Sequence, residues 1–306
     1  MELNQIGQSD LYISPLTLGC MSLGTNTNNA EKIIHTALEA GINHLDTADL
    51  YDYGENERIV GSVIQEKRHD VILTSKVGNH FDPKTKEHFW DPSKKHIING
   101  LKESLQRLNT DYIDLYMLHG GTIDDSIDES IEAFETLKKE GLIRAYGISS
   151  IRPNVIREYV KHSSIDAVMM QYSLLDRRPE ENILDLLLEQ EISVLARGPL
   201  AKGLLTSQAQ QIIETKGKDG YLTYSYDDLQ RVETVLQQLT NEIGSFNELA
   251  LKYVLQHPAV ASAVFGASSI EQVQTNTNMN FDNQLPHQIY KQLQTITQPT
   301  IYTNHR

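Results

Sequence analysis

Cysteine is almost absent from this chain of 306 residues, in which Cys20 is the only example. An internal disulfide is therefore excluded, and the composition suits a reducing compartment. No apolar run approaches the roughly 20 residues of a membrane-spanning helix. The first residues also lack the basic and then apolar pattern of a secretory signal. These absences predict a cytoplasmic protein.

Positive charge is also scarce. Lys and Arg number 27 against 41 Asp and Glu, which gives a formal net charge of -14. Non-specific binding of nucleic acid and attraction to anionic membranes both need basic patches. We therefore expect neither a nucleic-acid partner nor a membrane partner, and an anionic ligand would need a local cationic pocket.

Short apolar runs alternate with longer amphipathic stretches, a pattern that is typical of parallel strands connected by helices. Eight strands are predicted, near residues 16–20, 42–46, 71–76, 113–118, 143–148, 167–171, 192–196 and 261–265. A hydrophobic content of 39% can fill a large core. The pattern predicts an α/β fold, a (β/α)8 TIM barrel, as a single domain over residues 1–306.

Helices are predicted from amphipathic stretches and their end signals, such as Gly41, Gly141 and Pro179. Four of them fall between the strands, at 29–40, 94–108, 127–140 and 180–190. Residues 1–13 are predicted to form a hairpin over the barrel floor. Residues 198–260 are too long for one crossover helix, so we expect an insertion there. It should hold a mobile loop over 216–228, helices at 227–241 and 246–256, and a further helix should follow at 286–296.

Four polar residues stand where the apolar strands end: Asp46, Tyr51, Lys76 and His119. Strand ends of a TIM barrel surround one mouth, where its active sites are built. Side chains alternate along a strand, so Lys76 and His119 would form the topmost inward layer if their side of the strands faces the interior. A lysine in such a site needs a counter-charge, and Asp46 is the obvious candidate.

Each of these residues is weak evidence when taken alone. The chain has 11 His and 14 Tyr, so a single His119 or Tyr51 is more often a structural group than a catalyst. A salt bridge between Asp46 and Lys76 could be purely architectural. The combination of an acid, a phenol, an amine and an imidazole at one rim nevertheless favours an enzyme.

The motifs around these residues resemble the aldo-keto reductase superfamily, including its bacterial members. The resemblance is carried by HLDTADLYDYGENE at 44–57, TSK at 74–76 and LH at 118–119. GISS at 147–150, QYSLL at 171–175, GPLAKGLL at 198–205 and FGASSIEQVQTN at 265–276 extend it. It implies an oxidoreductase that reduces a small aldehyde or ketone to an alcohol by hydride transfer from NAD(P)H, with Asp46, Tyr51, Lys76 and His119 as catalytic residues.

Carbonyl reduction explains these four residue types. Hydride addition builds negative charge on the carbonyl oxygen, which donors must stabilise and then protonate. Tyr51 is the expected general acid, and we expect Lys76 to lower its pKa from about 10 by about 3 units, or roughly 4 kcal/mol. Asp46 would hold Lys76 charged. His119, if neutral, would donate a ring N–H to the substrate.

The chain has neither a G-x-G-x-x-G motif after a strand nor a P-loop, so a Rossmann or nucleoside-triphosphate site is unsupported. The resemblance implies NADPH, with NADH possible, lying across the barrel mouth, and no metal is expected. The residues it implies for the cofactor are Met21, Asp46, Ser149, Gln171, Arg197, Leu200, Lys202, Gly203, Gly266, Ser268, Gln272 and Asn276. The substrate would contact Met21, Tyr51, Trp90 and His119.

Three positions depart from the family pattern. Ser150 replaces a frequent Asn, Arg197 stands where a Tyr often stacks on nicotinamide, and Gln272 replaces a frequent Arg beside the 2'-phosphate. NADPH remains the favoured cofactor. Two alternatives stay open: an NADPH-binding redox-sensing or regulatory subunit with little turnover, and a lyase that uses Lys76 as a Schiff-base amine. Pairing of Lys76 with Asp46 counts against the lyase.

Overall fold

A computed structural model describes residues 1–82, 85–281 and 283–306. Its centre is a closed barrel of eight parallel strands. In chain order around the barrel these are β3 (Leu16–Gly19), β4 (His44–Asp46), β5 (Ile72–Val77), β8 (Ile113–Leu118), β9 (Ile143–Ser149), β10 (Ala167–Gln171), β11 (Ser193–Arg197) and β12 (Val260–Gly266). Each overlaps its predicted segment, so the predicted (β/α)8 TIM barrel is confirmed.

Two short antiparallel hairpins flank the barrel. The first pairs β1 (Asn4–Gln5) with β2 (Tyr12–Ile13), and its apolar residues pack with the barrel interior, which confirms the predicted floor. The second pairs β6 (Asn79–Phe81) with β7 (His88–Trp90) directly after β5. This second hairpin was not predicted, because its segment has no alternation of apolar and polar residues.

The first four helices surround the early strands. They are α1 (Thr27–Glu39), α2 (Glu55–Ile64), α3 (Lys94–Leu108) and α4 (Ile127–Lys139). Three match the predictions. Helix α2 was missed because Gly61 interrupts it, and that glycine is required for packing: a Cβ there would lie 2.3 Å from the Leu108 carbonyl oxygen of α3.

The later helices are α5 (Pro153–His162), α6 (Ile183–Glu189), α7 (Ala209–Lys216), α8 (Tyr226–Ile243), α9 (Phe246–Leu255), α10 (Ile270–Thr277) and α11 (His287–Ile296). Helix α6 is shorter than predicted, because Pro179 lies in a separate 3-10 turn over Arg178–Glu181. Helices α5, α7 and α10 were missed. Between α7 and α8 the chain forms a loop with one antiparallel bridge between Tyr221 and Tyr224, and its mobility stays a prediction. None of the described helices is both long and apolar enough to cross a bilayer.

The barrel interior changes from apolar to polar towards the mouth. Leu115, Met117 and Ile72 belong to an apolar cluster with the floor hairpin, as strand parity predicts. A polar layer follows, in which both His44 ring nitrogens are bonded, Nδ1 to Thr17 Oγ1 at 2.8 Å and Nε2 to Thr74 Oγ1 at 2.7 Å. Asp46 and Lys76 stand two residues beyond His44 and Thr74 on the same strands, so they form the next layer towards the mouth.

Candidate active site

An ion pair between Lys76 and Asp46 lies at the centre of the mouth. The lysine Nζ is 2.6 Å from Asp46 Oδ1, and the side chains are 0% and 5% exposed. The same Nζ donates to the Thr47 carbonyl oxygen at 2.7 Å. Burial disfavours the ammonium, but Asp46 and Tyr51 outweigh it and raise the pKa of Lys76. The predicted counter-charge is therefore present, and Lys76 stays protonated at neutral pH.

Tyr51 reaches this ion pair from the loop after β4. Its hydroxyl oxygen is 3.3 Å from Lys76 Nζ. Burial raises the pKa of the Tyr51 phenol, and Asp46 adds to the rise although Lys76 opposes it. The expected net lowering of this pKa is therefore wrong, because removal of water from a half-buried phenol outweighs one nearby ammonium. Tyr51 keeps its proton at neutral pH.

His119 stands beside Tyr51, directly after β8. Its backbone N–H donates to the Val77 carbonyl oxygen at 2.7 Å, which fixes it to β5. The two rings meet edge to face with centroids 5.9 Å apart. Burial, together with the charges of Lys76 and Arg197, lowers the pKa of His119 to about 3. The ring is neutral at physiological pH, and within the described residues its buried Nδ1 has no hydrogen-bond partner.

Trp90 closes one side of the mouth at the end of β7. Its ring lies against the backbones of Gly78 and Gly120, where an added Cβ would come within 2.7 Å and 3.2 Å of ring atoms. Its Nε1 donates to Asp125 Oδ1 at 3.0 Å. This contact could not be predicted from the residue pattern, because nothing in the loop indicates which aspartate faces the indole. Trp90 is thus fixed beside the loop that carries His119.

Met21 lies at the rim, in a 3-10 turn after β3, and the residue is 64% exposed. Neighbouring strands then bring further predicted residues to the same rim. Ser149, Gln171, Arg197 and Gly266 end β9, β10, β11 and β12 in turn. Arg197 Nη1 donates to Gln171 Oε1 at 3.3 Å. Together they form one continuous arc beside the ion pair, as an extended cofactor would require.

The loop after β11 has an unusual backbone. Ala201, Lys202 and Gly203 all adopt left-handed conformations, with φ of 46°, 57° and 93°. The backbone N–H groups of Ala201 and Gly203 are already donated within the turn, to the carbonyl oxygens of Gly198 at 3.0 Å and Leu200 at 2.9 Å. Lys202 is exposed and adds a positive charge there, and Leu200 is half-buried at the start of the turn. A pyrophosphate would therefore meet mainly the Lys202 charge in this segment, which begins no regular helix.

The last predicted segment lies at the start of α10, which Ser269 caps. Gln272 Oε1 accepts hydrogen bonds from Ser268, from its backbone N–H at 2.7 Å and its Oγ at 3.2 Å. Ser268 and Gln272 are exposed, but Asn276 is buried, and its Oδ1 accepts from Asn247 at 2.6 Å. Ser268 and Gln272 can therefore meet a ligand at the surface, while Asn276 is held in a buried pair.

Comparison with known proteins gives consistent matches along the chain. The model of the aldo/keto reductase family matches residues 15–298. The uncharacterised oxidoreductase YqkF of Bacillus subtilis is 54% identical over 307 residues, covering 100% of both chains. A holo-form aldo-keto reductase structure from Bacillus halodurans has a TM-score of 0.94 and 50% identity, covering 100% of this chain and 99% of its own. The NADH-specific methylglyoxal reductase of Escherichia coli is 29% identical and covers 89% of this chain and 91% of its own.

Proposed function

This chain belongs to the aldo/keto reductase family of oxidoreductases, and from that premise we propose that it reduces an aldehyde or ketone to an alcohol with NADPH. One observation carries the proposal. The Tyr51 hydroxyl oxygen lies 3.3 Å from the buried, charged Lys76 and beside the neutral ring of His119. We also propose that residues 1–306 act as one domain, since the hairpins and later helices pack on one barrel.

Tyr51 acts as the general acid in this proposal. Its raised pKa keeps the phenol protonated at neutral pH, so a proton is available when the carbonyl oxygen becomes negative. His119 donates its single ring N–H to the same oxygen and orients the substrate. Lys76, held by Asp46, stabilises the phenolate that remains after proton transfer. NADPH, when bound, would supply the hydride, and solvent would return the proton to Tyr51.

The arc on the rim would hold the cofactor. Ser149 and Gln171 can bond a carboxamide, and Arg197 can stack its planar guanidinium on the nicotinamide ring. Lys202 would offset pyrophosphate charge. Gln272 and its neighbour Ser268 are neutral hydrogen-bond partners for a 2'-phosphate. NADPH is therefore proposed as the main cofactor, and the NADH-specific Escherichia coli relative supports NADH as a second one.

The substrate pocket is proposed to lie between Met21 and Trp90, above Tyr51 and His119. Both walls are apolar, and Trp90 is held by the backbones of Gly78 and Gly120 and by its hydrogen bond to Asp125. They would hold the non-reacting part of a small carbonyl compound. The reacting oxygen would then point towards the Tyr51 hydroxyl.

The test is to mix purified protein with NADPH and nitrobenzaldehyde and to follow NADPH absorbance. We expect consumption, which the Tyr51→Phe variant should lower by about 10²–10⁴-fold while NADPH still binds. Tyr12→Phe is a matched control, because Tyr12 lies on the floor hairpin at the other end of the barrel. A wild-type rate in Tyr51→Phe would remove Tyr51 from this role.

The alternatives give different results. A regulatory subunit would bind NADPH tightly yet consume none across a broad carbonyl panel. A lyase would give a stable adduct on Lys76 after borohydride trapping with a carbonyl ligand. The ion pair with Asp46 keeps Lys76 protonated and therefore a poor nucleophile, which favours the reductase.

A further inference from the structure

A strained turn follows Tyr51 immediately. Asp52, Tyr53 and Gly54 adopt left-handed conformations with φ of 47°, 55° and 86°. Such conformations cost non-glycine residues roughly 1–2 kcal/mol each, so they persist only where surrounding structure holds them. Something beneath this turn must therefore support it.

The support is the side chain of Arg107 on α3. A Cβ added to Gly54 would lie 2.7 Å from Arg107 Cδ and 3.0 Å from its Nε, so the turn rests directly on the arginine. Arg107 Nε in turn lies 2.6 Å from Glu57 Oε2 on α2, and the two side chains are 12% and 0% exposed. The ion pair is buried, and it leaves the arginine little freedom to move.

Glu57 connects the same pair to the strand that carries Lys76. Its Oε1 accepts a hydrogen bond from Ser75 Oγ at 2.5 Å, and Ser75 immediately precedes Lys76 on β5. The carboxylate of Glu57 is thus fixed on one side to β5 and on the other to the support of the turn after Tyr51.

A second buried acid, Asp49, lies near this pair. Burial and the Glu57 carboxylate raise the pKa of Asp49 well above its ordinary value, although Arg107 opposes the rise. Asp49 therefore takes up a proton more readily than an ordinary aspartate does. The charge of Arg107 is balanced mainly by Glu57, with the exposed Glu103 3.6 Å away.

We propose that Glu57 and Arg107 are positioning residues that together set the separation of the Tyr51 hydroxyl from the Lys76 ammonium. Arg107 supports the backbone that follows Tyr51, and Glu57 fixes Arg107 relative to β5. The inference rests on the proposed function of Tyr51. It adds a buried ion pair, outside the four residues at the mouth, on which the geometry of those residues depends.

Gly54→Ala and Arg107→Lys test the proposal. The alanine methyl would push the turn off Arg107, and lysine keeps the charge but loses the guanidinium Nε–H that donates to Glu57. We expect kcat for carbonyl reduction to fall about tenfold or more, since a 1 Å displacement can cost about 10²-fold. NADPH affinity should stay unchanged, because neither residue faces the proposed cofactor arc.

Matched controls separate positioning from loss of stability. Gly41 has φ of 91° and nothing within 4 Å of an added Cβ, so Gly41→Ala brings the same backbone strain without the contact. Arg68 pairs with Asp114 at 2.9 Å with side-chain exposures of 12% and 1%, at the opposite end of β5. Gly41→Ala and Arg68→Lys should each lower the free energy of unfolding measured in urea and keep kcat. An equal fall of kcat in all four variants would overturn the proposal.

A readout without turnover completes the test. NMR of protein with isotopically labelled tyrosine gives a signal for the ring carbon that bears the hydroxyl, and the Tyr51 signal is the one lost in Tyr51→Phe. At neutral pH this signal should move in Gly54→Ala and Arg107→Lys but not in the controls. Movement without any wild-type turnover would support the positioning role and refute the reductase. An unmoved Tyr51 signal, with kcat unchanged where turnover is seen, would overturn the positioning role alone.

Discussion

The Asp46–Lys76 ion pair should be worth more to activity than to stability. Lys76→Met leaves a carboxylate that is 5% exposed without its partner. Breaking a buried pair from one side costs about 3–5 kcal/mol. Protonation of the unpaired Asp46 gives a similar figure. Protonating a carboxyl of ordinary pKa costs roughly 1.4 kcal/mol for each pH unit between that pKa and pH 7, or about 4 kcal/mol in all. Asp46→Asn should cost a comparable amount by leaving the ammonium unpaired.

The double variant Asp46→Asn/Lys76→Met removes both charges together. Its free energy of unfolding should lie within about 2 kcal/mol of wild type, because replacing a whole buried pair is often neutral. The loss in the double variant should therefore be far smaller than the sum of the two single losses. Urea unfolding of the four proteins at pH 7 measures this. Lys76→Met alone should recover as the pH falls, since protonation then neutralises Asp46 more cheaply.

Activity gives the second half of the same experiment. The double variant should be folded but without measurable carbonyl reduction, because no ammonium remains to stabilise the Tyr51 phenolate. Two results would refute the reasoning. A double loss equal to the sum of the single losses would show that the two charges are not coupled. A folded double variant with wild-type kcat would leave the pair a purely architectural role.

Three further predictions concern His44, Gln272 and Trp90. Burial and Lys76 lower the pKa of His44 from 6.5 to about 3, so the unfolded chain binds one more proton between these values and stability is lost as pH falls from 6.5. As the pH falls from about 6 to 4, the free energy of urea unfolding should therefore decline less steeply in His44→Gln than in wild type, by about 1.4 kcal/mol per pH unit. Parallel curves for the two proteins would contradict this. Gln272→Arg should tighten NADPH about tenfold by a charge-assisted bond and leave NADH unchanged in fluorescence titrations. Equal wild-type affinities for the two cofactors would argue against a 2'-phosphate site. Trp90→Ala should raise KM for an aryl aldehyde more than it lowers kcat, and Asp125→Ala should have the same effect more weakly. An unchanged KM in both variants would show that Trp90 does not line the substrate pocket.

Much of the fold could be predicted from sequence, since it depends on patterns that repeat along the chain. Eight apolar runs predicted eight strands. Strand parity placed Lys76 on the same side as Thr74, in the topmost inward layer if that side faces the interior. The pairing of Lys76 with Asp46 followed from the cost of an isolated buried charge. These inferences need only the period of a strand, which is a local property, and the topology of the barrel, which is a property of the whole fold.

The remaining features depend on contacts between distant segments. The hairpin that ends at Trp90 has no strand pattern of its own, and Asp125 meets the indole only because the folded loops bring them together. Gly61 and Gly54 interrupt the helical pattern around α2, yet in the folded protein each permits a close approach by α3. Sequence periodicity misses such residues, because they weaken the local helical pattern while they permit a contact with a distant segment.

The pKa of Tyr51 shows how such a miss changes the proposed chemistry. A nearby ammonium predicts a more acidic phenol when water is ignored, but burial and Asp46 reverse the net shift. Lys76 would then contribute after proton transfer, when the phenolate must be stabilised in a site that excludes water. The phenol is then fully protonated before proton transfer, and its phenolate is stabilised only after proton transfer. This lowers the barrier without reducing the amount of protonated phenol at neutral pH. The same requirement makes the separation of Tyr51 from Lys76 critical, because the stabilisation of a phenolate by an ammonium falls as the distance between them grows.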